Sequence, residues 1–128
     1  TLTFGAHFNQ SLDDVTLPGS LETLTFGACF KHPLDGVALP SGLKTLTLQG
    51  KFEQPLAGVA LPSSLRTLAL GGFSGLFADI ALPSGLQTLK FGPDVNQRIV
   101  STLPSGLQAL IFGYAFNQSL DETPLPHG

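Results

Sequence analysis

The dipeptide Leu-Pro recurs at Leu17-Pro18, Leu39-Pro40, Leu61-Pro62, Leu82-Pro83, Leu103-Pro104 and Leu125-Pro126, with spacings of 22, 22, 21, 21 and 22 residues. A fixed period of this length is the signature of a stacked repeat architecture and constrains the fold more than any other feature of the chain. Three residues after each of the first five prolines stands another leucine, at Leu21, Leu43, Leu65, Leu86 and Leu107. Three residues further on begins an apolar-x-apolar pair: Leu24/Phe26, Leu46/Leu48, Leu68/Leu70, Leu89/Phe91 and Leu110/Phe112, with Leu2/Phe4 as the leading copy.

Alternation in Thr-Leu-Thr-Phe has the period of two expected of a strand with one buried face, and Thr and Phe favour strands. Strands are therefore predicted near residues 1–4, 23–26, 45–48, 67–70, 88–91 and 109–112, with all twelve apolar pair residues buried. Gly follows at 5, 27, 71, 92 and 113, which stops each strand and permits the turn away from the sheet. A second apolar pair comes next, as Phe8/Leu12, Phe30/Leu34, Phe52/Leu56, Phe73/Phe77, Val95/Ile99 and Phe116/Leu120. Its i, i+4 spacing suggests a helical turn, but Pro33 and Pro55 lie inside the interval and the window is far shorter than a stable helix, so a turn or 3₁₀ segment is expected. The return leg, such as Gly36-Val37-Ala38-Leu39-Pro40, is expected to be extended, because the residue before proline is excluded from the α region, and a second, shorter parallel ladder there is consistent with it.

One such unit buries too few side chains to offset the conformational entropy of ordering its backbone. Stacking removes the deficit, since neighbouring units pair strands at about 4.8 Å and share one apolar column. The predicted fold is mainly β: a right-handed leucine-rich-repeat-like solenoid with one parallel sheet of six short strands, turn or 3₁₀ and extended return segments, and little or no α-helix. Residues 1–128 read as a single repeat domain. Because the first residue is Thr rather than Met and falls in a strand motif, they are expected to be a segment of a longer chain.

At Leu21-Glu22-Thr23-Leu24-Thr25-Phe26 the chain shows L-x-x-L-x-L/F, and the pattern recurs at 43–48, 65–70, 86–91 and 107–112. Combined with Leu-Pro-x-Ser/Gly-Leu upstream and Phe-Asn-Gln-x-Leu downstream, it resembles the FNIP repeat, a leucine-rich-repeat relative found in many proteins of unicellular eukaryotes. The resemblance covers essentially the whole chain. It implies a protein-interaction or scaffolding region, a role class rather than a partner. The chain departs from ordinary leucine-rich repeats in carrying Gly at the strand exit, with Asn later, at Asn9, Asn96 and Asn117. The fourth and fifth copies each lose a residue, near Gly71-Gly72-Phe73 and at Arg98-Ile99-Val100-Ser101-Thr102, where local strain or bulging is expected.

Charged residues make up 12% of the chain and the net charge is −3, which leaves no basic footprint for nucleic acid or an anionic membrane surface. Gly, Pro, Thr and Ser interrupt every apolar run, so no transmembrane segment is expected. The single Cys29 has no intramolecular disulfide partner, which leans towards a reducing, intracellular compartment.

His7 and Cys29 occupy one column with Lys51 next, close enough for a shared metal or a Cys-His dyad, yet no third ligand or orienting carboxylate recurs beside them, so the column reads as variable surface. Asp13, Asp14 and Asp35, and Asp121 with Glu122, suggest calcium, but Ala57 and Ala78 interrupt the column and aspartate favours turns for its own reasons. Asn9-Gln10-Ser11 and Asn117-Gln118-Ser119 match the glycosylation sequon, although both are copies of a structural motif whose Asn is expected to bond turn backbone. No phosphate loop, Ser-His-Asp arrangement or paired-carboxylate pocket can be built, so no enzyme, cofactor or metal is predicted.

Two functions of different classes remain. In the first, the strand face turned away from the core presents Glu22, Thr23, Thr25, Lys44, Thr45, Thr47, Arg66, Thr67, Ala69, Gln87, Thr88, Lys90, Gln108, Ala109 and Ile111 to a protein partner, either as an interaction scaffold or as a peripheral subunit of a larger assembly. In the second, the ranks Thr1/Thr3, Thr23/Thr25 and Thr45/Thr47 bind ice or another ordered surface, a pattern that decays to Thr67/Ala69, Thr88/Lys90 and Ala109/Ile111.

Overall fold

The computed structural model describes residues 1–12, 15–34, 37–50, 59–72, 82–92 and 103–111. Six strands, β1 (Leu2–Thr3), β2 (Thr23–Phe26), β3 (Thr45–Leu48), β4 (Thr67–Leu70), β5 (Thr88–Phe91) and β6 (Ala109–Ile111), form one sheet in chain order with every pairing parallel. Each repeat lands on the equivalent residue of the next, so that Leu24 pairs with Leu46, Leu46 with Leu68, and Leu68 with Leu89. The one-residue deletion between the fourth and fifth copies is absorbed outside the strands, because register across β4 and β5 is kept.

Each strand is entered through a proline-led turn. The amide of the leucine three residues on donates to the proline carbonyl, as in Leu21 to Pro18 (3.1 Å), Leu43 to Pro40 (3.1 Å), Leu65 to Pro62 (3.0 Å), Leu86 to Pro83 (3.1 Å) and Leu107 to Pro104 (3.1 Å). Proline serves there as an acceptor, so its missing N–H removes nothing. After the strand the chain makes a tight turn, Phe8 donating to the Gly5 carbonyl (3.1 Å) and Phe30 to that of Gly27 (3.4 Å). No helix or second ladder occurs among the described residues, and the return legs are held by local turns such as Val15 to Leu12 and Val37 to Leu34, both 3.0 Å. Nor is any helix among them long and apolar enough to cross a membrane.

The core consists of columns. Leu24, Leu46, Leu68 and Leu89 form one, with exposures of 0, 1, 0 and 0%; Phe26, Leu48, Leu70 and Phe91 form the next; and Leu21, Leu43, Leu65 and Leu86 line the strand entrance. Leu12, Phe30, Leu34 and Val37 close the far side. Leu2, Phe4 and Leu110 differ from the expectation of full burial, being only half-buried, because the first and last described rungs have a neighbour on one side only. Phe112 lies outside the described residues, as do the shortened segments of the fourth and fifth copies. Phe4, Phe8, Phe26 and Phe30 stack within rungs at 4.3 and 4.2 Å and between rungs at 5.2 and 6.2 Å, an aromatic block that fills the core where leucine alone would leave gaps.

The strand-exit glycines serve a purpose beyond the expected strand stop and turn. None of those among the described residues has a left-handed φ, and a Cβ on Gly27 would overlap the Gly5 carbonyl, one on Gly71 the Gln49 carbonyl, and one on Gly92 the Gly71 carbonyl. They permit close backbone approach between rungs. In the third repeat Gln49 takes the exit position and the clash moves one residue along, where a Cβ on Gly50 would overlap the Ala28 carbonyl.

Candidate functional site: the outward strand face

A first file, one residue before each of β2 to β6, is exposed at the strand entrance, and because side chains alternate across a strand, the residues flanking the core leucines face outward in two further parallel files. The first contains Glu22, Lys44, Arg66, Gln87 and Gln108, all exposed. The second contains Thr23, Thr45, Thr67, Thr88 and Ala109, all half-buried by their neighbours in the stack. The third runs Thr25, Thr47, Ala69, Lys90 and Ile111, of which the two threonines and Ala69 are half-buried and Lys90 and Ile111 exposed. The fifteen residues expected at a partner surface thus occupy these three files, each exposed or half-buried.

The backbone of the first file is bonded doubly from rung to rung. The Glu22 carbonyl accepts from both Lys44 (2.8 Å) and Thr45 (3.0 Å), the Lys44 carbonyl from Arg66 (2.8 Å) and Thr67 (3.0 Å), the Arg66 carbonyl from Gln87 (2.8 Å) and Thr88 (2.9 Å), and the Gln87 carbonyl from Gln108 (2.8 Å) and Ala109 (3.0 Å). Using both lone pairs of each carbonyl fixes the position from which these exposed side chains project.

The cations on this face are held differently. Lys44 Nζ meets Glu22 Oε1 at 3.2 Å, with both side chains more than half exposed. Arg66 turns onto backbone: its Nη1 donates to the carbonyls of Ser63 (3.1 Å), Leu65 (3.3 Å) and Gly85 (3.3 Å). The guanidinium occupies space that a Cβ on Gly85 would need, so Arg66 ties two rungs together, a role that its place in a charge file does not suggest. Lys90 has no hydrogen-bond or ion-pair partner among the described residues.

Beside Lys90 lies a notch of about 250 Å³ lined by Thr47, Leu48, Gln49, Ala69, Leu70, Gly71, Lys90 and Gly92. It forms where Ala69 replaces the Thr of the third file and where glycines occupy the neighbouring strand exits. Gln49, Gly71 and Gly92 were not among the expected site residues. The signal was the Thr-to-Ala change at 69 beside two glycines, which is visible only when the outward and exit columns are read together.

His7 and Cys29 are both exposed on successive rungs, and the Cys29 amide donates to the Ala6 carbonyl (3.0 Å) as part of the stack. Among the described residues no group of three or more His, Cys, Asp or Glu side chains could hold a metal ion, and the aspartates at 13, 14, 35 and 121, with Glu122 and His127, lie outside them. Asn9 acts as expected of a structural Asn: its Oδ1 accepts the Lys31 amide of the next rung (2.9 Å), and His32 Nε2 lies 3.2 Å from its carbonyl. Asn96 and Asn117 lie outside the described residues.

A six-stranded parallel sheet repeating every 21 or 22 residues, with a leucine core on one face and variable side chains on the other, defines a leucine-rich-repeat-like β-solenoid. The FNIP Repeat family model matches residues 1–29, 30–73, 79–114 and 96–128, and the chain belongs to that family. Among solved structures it is similar to CroV588, described as a novel circular LRR protein, with 38% identity and a TM-score of 0.86 over 97% of this chain. The chain spans 19% of the length of that protein. No curated protein matches the chain significantly.

Proposed function

We propose that this chain is a non-catalytic protein-interaction scaffold, or a peripheral structural part of a larger assembly, and that a partner protein is read by the outward strand face through Glu22, Thr23, Thr25, Lys44, Thr45, Thr47, Arg66, Thr67, Gln87, Thr88, Lys90 and Gln108. The observation that carries this reading is the exposed file Glu22-Lys44-Arg66-Gln87-Gln108, whose first four carbonyls each accept two backbone bonds, a rigid row whose chemistry changes from rung to rung while its spacing does not. Binding residues held on a rigid scaffold lose little conformational entropy on association. Membership of a leucine-rich-repeat-like family, whose folds generally act as interaction scaffolds, points the same way.

Ice or ordered-surface binding draws support from the in-register Thr23-Thr45-Thr67-Thr88 file. It draws less from the neighbouring file, where Thr25 and Thr47 give way to Ala69, Lys90 and Ile111, because an ordered surface needs a flat, uniform array.

The test is partner capture from the source lysate by the full chain. Changing the charge pattern with Lys44→Glu and Gln87→Lys is expected to reduce recovery of a specific protein at least several-fold, while His7→Ala with Cys29→Ser leaves it unchanged. Recovery that depends on His7 and Cys29 and ignores the face variants would sink the scaffold reading. Thermal hysteresis lost on Thr45→Leu would replace it with the ice-binding one.

A further inference from the structure

The notch at the exit of β3, β4 and β5 differs from the rest of the strand face in two independent respects. It is a concavity of about 250 Å³, floored by Ala69 and Gly71 and walled by Thr47 and Gln49 on one side and Lys90 on the other. Its rim also carries an uncommitted charge: Lys44 is paired with Glu22 and Arg66 is bonded to three carbonyls, whereas Lys90 is exposed with no partner among the described residues. Gly71 and Gly92 serve the close approach of rungs, but the outward residues of the notch do not serve the fold in this way. The inward residues of these strands are ordinary core leucines and a phenylalanine, and Ala69 and Lys90 sit where threonine would satisfy the sheet equally well.

From this we infer that the notch seats one apolar side chain of a partner protein segment whose adjacent residue carries a carboxylate that pairs with Lys90. The proposal rests on the scaffold reading and narrows it to the chemistry of one contact. The volume matches a branched aliphatic or aromatic side chain, the lining is mostly apolar with Thr47, Gln49 and Lys90 as its polar side chains, and the ammonium at the rim selects an acidic neighbour over a basic one. A basic or purely polar segment would leave the bed unfilled and meet Lys90 with the wrong sign.

The probe is the biotinylated peptide acetyl-Gly-photoleucine-Glu-Gly, irradiated with the full chain and mapped by mass spectrometry, with a Gln-for-Glu peptide as its uncharged counterpart. Labelling is expected at residues 69–71 and 90–92. Ala69→Leu, which fills the notch, should lower it about tenfold or more. Lys90→Gln should lower it about two- to five-fold and abolish preference for the Glu peptide, as expected of a rim ion pair. Gln10→Ala, exposed on the first repeat and outside the outward files, should leave it unchanged. Labels scattered along the sheet, insensitivity to Ala69→Leu, or equal labelling by the two peptides with Lys90 intact would overturn the proposal. Loss of the notch signal with partner capture still dependent on Lys44 and Gln87 would refute this inference alone. Intact labelling with capture indifferent to those two residues would refute the scaffold reading instead.

Discussion

The two faces of the same strands obey different rules. Inward, positions 24, 46, 68 and 89 are leucine four times over, each 0 or 1% exposed, because each rung must match the shape of the one beneath it. Outward, positions 25, 47, 69, 90 and 111 read Thr, Thr, Ala, Lys and Ile on an identical backbone register. A stacked sheet thus separates fold from recognition cleanly. The inward face is repetitive because packing couples neighbours, and the outward face is free to vary because water replaces the neighbour.

The sharpest way to break this comparison is to put a hole in the inward face. Leu46→Ala and Leu68→Ala are each expected to destabilise the chain by about 2–5 kcal/mol, since both sit in the middle of a continuous column that cannot collapse without shifting the ladder. Urea midpoints of the two variants would measure it. Losses below about 1 kcal/mol would mean that the columns are loosely packed and that the contrast between faces is one of polarity alone.

The edge between the faces gives the next largest effect. Gly71→Ala and Gly92→Ala force a methyl group against the carbonyls of Gln49 and Gly71 and should destabilise by about 1–3 kcal/mol, as other overpacking substitutions do. Gly19→Ala, where a Cβ meets nothing within 4 Å, is the control, expected to be neutral or slightly stabilising in thermal melts.

Much of this was legible beforehand, for a physical reason. The Leu-Pro period set the register, and alternation within Thr-Leu-Thr-Phe set the strand and its buried side, because those residues are chosen by the fold. The strand-exit glycines were legible as strand stops and turns, but their close approach to the neighbouring rung was not, because it depends on how rungs stack. The site was legible only as a face. Arg66 in a file with Glu22 and Lys44 reads as a recognition charge, and only the distances to Ser63, Leu65 and Gly85 show it bonded to backbone. The notch escaped because it is made of missing atoms, at Ala69, Gly71 and Gly92, spread over two columns and two strands.

Arg66 therefore belongs to both faces at once, and its substitution sharpens the comparison. Arg66→Gln removes contacts to three carbonyls and is expected to destabilise by about 0.5–1.5 kcal/mol, an effect that persists in high salt because the acceptors are neutral dipoles. Melting curves with and without added salt would check both parts. A change that vanished with salt would make Arg66 an ordinary surface charge.

The smallest effect is expected at the Glu22–Lys44 pair, which lies wholly on the outward face. Its Nζ to Oε1 distance is 3.2 Å, but the side chains are 58% and 62% exposed, so water screens the attraction and ordering two long side chains offsets part of it. A double-mutant cycle on Glu22→Gln and Lys44→Gln should give a coupling energy of about 0.2–1 kcal/mol. In 1 M salt, where the screening length falls to about 3 Å, most of that coupling should disappear. The pair then adds little to stability and leaves an acidic and a basic group fixed on adjacent rungs, which is a pattern a partner can read at the cost of breaking a weak bond. A coupling as large as the loss at Leu46 would show that the outward face also holds the stack together. Its variation from rung to rung would then no longer be free of the fold.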